Sequence, residues 1–192
     1  MTTDRRFCRF NKGASISTGR PDFGPLTTTE IPPGGLCLSA FLLVADSAEH
    51  EKILMGHLNP KAPWDHIGAL DEGRIEVHSK GLMLPSSHLM IRESPFDAAK
   101  RISREQLELE DGVAAILQPK VFSDVYKPKR FPELDEHWDI GFVFSTSIPK
   151  SKLREHVNAW TDIQFVDPKK IEREEFARSH DDVLRYAGFK IP

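Results

Sequence analysis

The chain has 192 residues, 39% of them hydrophobic and 29% charged, with a net charge of -3. That length suffices for one domain with a full core, and the composition is that of a soluble globular protein. The weakly acidic balance gives no electrostatic ground for a nucleic-acid or membrane partner, and the longest mainly apolar run, Leu36 to Ala45, falls far short of the roughly 20 residues that span a bilayer.

The first residues, MTTDRRFCRF, lack the apolar core of a secretion signal, so a cytoplasmic location is the expectation. Cys8 and Cys37 have no C-x-x-C spacing and are read as reduced thiols. Residues 1–35 are rich in Thr, Pro, Gly and Arg and close on Ile31-Pro32-Pro33-Gly34-Gly35 without sustained periodicity. They read as an N-terminal arm or lead-in, and residues 36–192 as the domain proper.

Leu36 to Asp46 (LCLSAFLLVAD) and Lys52 to Leu58 (KILMGHL) are nearly continuous apolar runs bounded by turn residues, the pattern of buried strands in a hairpin-like pair. Asn59 to Gly81 contains Pro60, Pro63, Gly68 and Gly73, and the alternation of Arg74-Ile75-Glu76-Val77-His78 suggests a short strand.

The stretch from Leu84 to Leu109, LPSSHLMIRESPFDAAKRISREQLEL, opens as a tight loop and continues as a helix. Ser94 before Pro95 supplies an N-cap hydroxyl and a residue with no N–H to waste, and Asp97 adds negative charge to the first turn. Ala98, Ala99, Ile102 and Leu109 form an apolar stripe, with Arg101, Arg104, Glu105 and Glu108 beside it.

Beyond it, Val113 to Val121 reads as a strand, Phe122 to Glu136 as a charged loop, and His137 to Ile148 as a half-buried strand with Trp138, Ile140, Phe142 and Phe144 on one face. Asp162 to Asp167 is a further short strand. Glu172 to Ala187 reads as a terminal helix with Gly188 as its cap.

In residue order, the Leu84–Leu109 segment resembles the signature box of the Nudix hydrolases, G-x5-E-x7-R-E-U-x-E-E-x-G-U, where U is aliphatic. Glu93 takes the first acid of the pattern, Arg101 its arginine, Glu105 the first acid of the final pair and Leu109 the closing aliphatic residue. Leu84-Pro85-Ser86-Ser87-His88 stands where many members have L-P-G-G-H. The resemblance implies an α/β/α sandwich with a mixed β-sheet, the box helix on one face and the terminal helix on the other. It also implies a nucleotide-like small-molecule ligand, magnesium or manganese in an active member, and a homodimer.

The departures fall on the chemistry. Three helix glutamates of the family hold a divalent cation against a pyrophosphate, since hard cations demand clustered oxygen ligands. Here those positions are Ile102, Glu105 and Gln106, so one carboxylate of the three remains. The glycines are replaced too: Ser86 and Ser87 occupy the bend, Arg92 precedes the acid, and Glu108 stands near the helix end. In a second register Arg104, Glu105 and Glu108 read as R-E-x-x-E, and Glu105 with Glu108 would lie one turn apart, near enough to share a cation.

The resemblance thus nominates Glu105, Gln106 and Glu108 as metal ligands, and Glu93 and Arg101 as a charge-assisted pair holding loop to helix. Many members place the acid that activates water on a late loop, which makes Glu133, Asp135 and Glu136 candidates. Ser86, Ser87, Trp64, Lys127 and Arg130 are candidates for ligand contact, Trp64 by stacking a base or sugar and the cations by pairing with phosphate. Two readings stand: a catalytically impaired Nudix domain that binds a nucleotide-like ligand or partner, and a metal-dependent hydrolase of a nucleoside diphosphate linked to another group.

Overall fold

The computed structural model describes residues 9–10, 23–24, 35–110, 115–126, 136–177 and 180–192. Near the start, β1 (Arg9–Phe10) pairs antiparallel with β2 (Phe23–Gly24). The domain is built on β3 (Leu36–Asp46), whose apolar run is buried on both sides as a central strand requires. Strand β4 (Ile53–Leu58) follows, then two short helices, α1 (Trp64–Ile67) and α2 (Glu72–His78). Next come β5 (Ser86–His88) and the box helix α3 (Pro95–Arg101). Strands β6 (Lys120–Tyr126), β7 (His137–Ile148) and β8 (Trp160–Val166) complete the sheet, and α4 (His180–Ala187) packs against it.

The sheet order is β6-β7-β3-β4-β8, with β5 pairing along Ser39–Phe41 of β3. Among its described strands β3 and β7 run parallel, from Leu36 opposite Trp138 to Asp46 opposite Ile148, and the other pairs antiparallel, so the sheet is mixed as expected. Alternation along β3 separates two cores. Ala40, Leu42 and Val44 pack with Ala98, Ala99 and Ile102 of the box segment, while Phe41 and Leu43 pack with Val183 and Leu184 of α4. The result is the three-layer α/β/α sandwich that the sequence led us to expect.

Three elements differ from their expected form. Residues 74–78 belong to α2 rather than a strand, because the Asp71 carboxylate caps the helix by accepting from the Arg74 N–H at 2.9 Å and Ile75 packs on the core. The strand expected at 113–121 instead starts at Lys120, just after Pro119, and runs into the stretch expected as loop. Tertiary partners decide this: Phe122 stacks flat on Tyr186 at 4.5 Å, and Trp138 on β7 donates to the Ser123 hydroxyl at 2.8 Å. The terminal helix begins at His180, since residues 176–177 are drawn out to pair with Leu82, whose N–H reaches Glu175 O and whose carbonyl receives the Ala177 N–H, both at 2.8 Å. Gly188 closes α4 with a φ of 104°, the left-handed geometry that glycine tolerates.

Candidate functional site

The loop-helix unit forms as its residues dictate. Ser94 caps α3, its hydroxyl accepting from the Asp97 N–H at 3.1 Å, with Pro95 in the first turn. After Arg101 the winding widens into a single π turn over Ile102–Gln106. Along it, Ile102 and Gln106, four residues apart and so on one face, both point inward and are 0% exposed, while Glu105 lies at the flank.

Arg101 and Glu93 form the pair that the resemblance implied. Arg101 Nε and a terminal nitrogen reach the two Glu93 oxygens at 2.6 and 2.8 Å, a bidentate fork nearly closed to solvent. The same guanidinium donates to Ile67 O at 2.8 Å, Ser87 Oγ at 3.0 Å and His88 O at 3.2 Å, and Glu93 also accepts from the Met90 N–H at 2.9 Å. The Arg101 hydrogen bonds, with help from Met90 and against the cost of burial, hold the Glu93 carboxyl below its ordinary range. These two residues lock the loop to the helix.

Gln106 is a staple. Its Oε1 accepts from the Ser86 N–H at 3.1 Å, and its Nε2 donates to Ser86 O at 2.7 Å and Ile67 O at 3.0 Å. Nominated as a metal ligand, it is instead committed to backbone groups in a site closed to solvent. Glu108 is bound elsewhere as well: its carboxylate receives Arg154 at 2.8 Å and the Asn158 N–H at 3.1 Å. Glu105 faces Arg104 at 3.1 Å through one oxygen, and its buried Oε2 has no hydrogen-bond partner.

Among the described residues, those of the box do not fit a divalent cation. Ile102 has no ligating atom, Gln106 and Glu108 are engaged, and one carboxylate alone cannot offset two charges. Among the described residues no group of three or more His, Cys, Asp or Glu side chains is placed to hold a metal ion.

Two replaced glycines leave a backbone mark. Arg92 and Glu108 lie in the left-handed region, at φ 67° and 50°, the conformation that glycine tolerates more readily than arginine or glutamate.

Trp64 corrects the stacking expectation. It is 0% exposed, donates its Nε1–H to Asn59 O at 2.9 Å and meets Trp160 edge-on at 5.5 Å, so it cannot receive a ligand ring. Lys127, Arg130, Glu133 and Asp135 lie outside the described residues. Glu136, at the entry to β7, is half-buried.

A small cleft, with about 60 Å³ of room inside it and partly open to solvent, lies over the β3 face that carries Cys37, Ser39 and Phe41, the face opposite the box helix. Ser86 and Ser87 line it, but Glu105 does not. Its floor holds a buried polar chain: Ser39 Oγ donates to Asp139 Oδ1 at 3.2 Å and lies 3.3 Å from His88 Nδ1, and His137 Nε2 stands 3.9 Å from Asp139 Oδ2. His180 accepts the Leu84 N–H on Nδ1 at 3.1 Å, which places any proton of the neutral ring on Nε2. Arg74 from α2 stands at the rim, 40% exposed. The histidines are scattered from position 78 to 180, so sequence reasoning had no local signal for them; the one readable mark was polar Ser39 within an apolar strand.

Comparison with solved structures defines the class: this chain has the Nudix fold. A MutT/Nudix family protein from Listeria innocua matches with a TM-score of 0.52 and 20% identity, over 79% of this chain and 90% of that one. The MutT protein of Methanosarcina mazei Go1 matches at 0.52 and 12%, over 80% and 94%. Shewanella oneidensis NrtR, also at 0.52 and 12%, is matched over 79% of this chain, which spans only 61% of NrtR. That protein has also been solved with a 27mer DNA. No protein-family model and no curated protein matches the sequence. Among the described residues, no helix is long and apolar enough to cross a membrane.

Proposed function

We propose that this is a Nudix-fold binding protein, impaired in metal-dependent hydrolysis, which holds a nucleotide-like ligand in the cleft over β3 while its box serves as scaffold. The observation that carries the reading is the complete burial of Ile102 and Gln106, one packed into the core and the other stapling the Ser86 backbone. Residues 36–192 form the binding domain and residues 1–35 an arm, and the protein works in the cytoplasm.

The cleft suits such a ligand by its polarity. Arg74 at the rim offers a guanidinium to a phosphate, and Asp139, Ser39 and His88 in the floor offer acceptors and donors to a polar ring, between the apolar walls of Phe41, Leu70 and Met83. The net charge of -3 argues against a nucleic-acid partner for this chain, unlike the DNA-bound NrtR.

One observation favours the hydrolase alternative. The partnerless buried oxygen of Glu105 is a site that a cation would satisfy. Both readings meet in one experiment: hydrolysis of nucleotide sugars, dinucleoside polyphosphates and nucleoside triphosphates with magnesium and then manganese, for wild type and Glu105→Gln, beside thermal unfolding with the same nucleotides. Binding without turnover, with the thermal shift lost in Arg74→Ala, is the expected result. Metal-dependent turnover that disappears in Glu105→Gln would overturn the proposal.

A further inference from the structure

The hydrogen bonds on the cleft floor fix which of its groups accept. Ser39 has a single hydroxyl hydrogen and donates it to Asp139 Oδ1 at 3.2 Å, so its 3.3 Å contact with His88 Nδ1 takes the hydrogen from the imidazole. The neutral His88 ring therefore carries its proton on Nδ1 and keeps Nε2 as an acceptor. Its backbone is held as well: His88 O receives the Ser87 hydroxyl at 2.7 Å and Arg101 at 3.2 Å, and the His88 N–H reaches Gly68 O at 3.3 Å. Because Asp139 and His88 share the Ser39 oxygen, a carboxylate and an accepting imidazole stand side by side on the floor. Ser86 lies two residues along β5 from His88, on the same face, and adds a hydroxyl that can turn to donate.

We propose that this floor reads the amino-lactam edge of guanine, a carbonyl beside two adjacent N–H donors, in the nucleotide-like ligand of the cleft. The Ser86 hydroxyl meets the carbonyl, and Asp139 and His88 accept from the ring N–H and the amino group. The assignment rests on the ligand reading above and adds the base to it. Adenine sets one donor beside a ring acceptor, which would turn a nitrogen lone pair toward accepting groups. Hypoxanthine keeps the carbonyl and the ring N–H but lacks the amino group, and leaves one acceptor of the floor unmatched. The room inside, about 60 Å³, takes the edge of the ring and leaves sugar and phosphate at the mouth, where Arg74 stands.

Calorimetric binding of GMP, IMP and AMP to the full chain, without metal ion, tests the assignment. GMP should bind at least about tenfold more tightly than AMP and at least about threefold more tightly than IMP. Asp139→Asn replaces a group that only accepts by one that also donates, and should bring GMP and AMP to within about twofold of one another. Asp139 is buried, so a variant that fails to fold leaves the test to the wild-type affinities and to the His88 ring. Nitrogen NMR of the imidazoles, with the His88 signal assigned by its loss in His88→Gln, should find the proton of the neutral ring on Nδ1. Equal affinities for GMP and AMP overturn the guanine assignment and leave the nucleotide reading standing, whereas no binding of any of the three overturns both. A His88 proton on Nε2, or a preference for GMP unchanged in folded Asp139→Asn, overturns the assignment as well.

Discussion

Ile102→Glu would restore the first helix carboxylate of the Nudix pattern at a side chain that is 0% exposed and packed among Ala98, Ala99 and Leu107. Losing the buried isoleucine costs about 1.5–3 kcal/mol. The introduced carboxyl meets an apolar surround, where an unpaired charge costs several kcal/mol more unless it stays protonated. The total is at least about 4 kcal/mol, out of the 5–15 kcal/mol or so that holds a typical domain together. At about 2–4 °C per kcal/mol for a chain of this size, the melting temperature should fall by at least about 8 °C. The control Ile102→Val should cost only about 0.5–1.5 kcal/mol. Thermal unfolding followed by circular dichroism, with magnesium-dependent hydrolysis measured alongside, decides the matter. A glutamate variant that melts with wild type, or that gains turnover, would show that position 102 is open to solvent and metal and that the scaffold reading of the box fails.

Two more outcomes follow from the same loop-helix unit. Glu93 is held below its ordinary value of 4.5 in the folded state, so its stabilisation is present above that value and is lost as pH falls through the lower folded value. Denaturant titrations below about pH 4.5 should therefore show a shallower acid decline for Glu93→Gln than for wild type, and parallel curves would refute the assignment. At Arg92, exposed and left-handed, Arg92→Gly relieves about 1–2 kcal/mol of backbone strain and returns part of it as chain entropy. A net gain of about 0.5–1 kcal/mol is expected, and a lower melting temperature would contradict it.

Legibility in the sequence followed the source of each signal. Strands β3 and β7 lie where their apolar runs begin and end, because a strand buried on both faces or alternating strictly carries its own boundary. The α3 start was equally plain, since Ser94 and Pro95 act within four residues of one another. What stayed hidden depended on contacts distant in sequence. The extended 176–177 segment answers to Leu82, β6 answers to Tyr186 and Trp138, and Trp64 answers to Trp160. The box itself was legible as a frame, but the π turn was not, because no residue in ISREQ announces a wider winding, nor was the burial of Gln106, whose partners are the backbone groups of Ser86 and Ile67. The cleft was the least legible part, its floor being assembled from β3, β5 and β7 and its wall from α2 and α4.

The parallel pairing of β3 with β7 also sets the order in which this chain can fold. Its partners lie about 100 residues apart, so the loop between them must close before the central strands gain each other's hydrogen bonds. A chain emerging from the ribosome carries β3, β4 and the box helix before it carries β7, the strand that pairs with β3 along its length. Until β7 is made, the edge of β3 that it pairs with is open, and the two cores lack Val143, Phe144 and Ile148, so the unfinished sheet is exposed to mispairing.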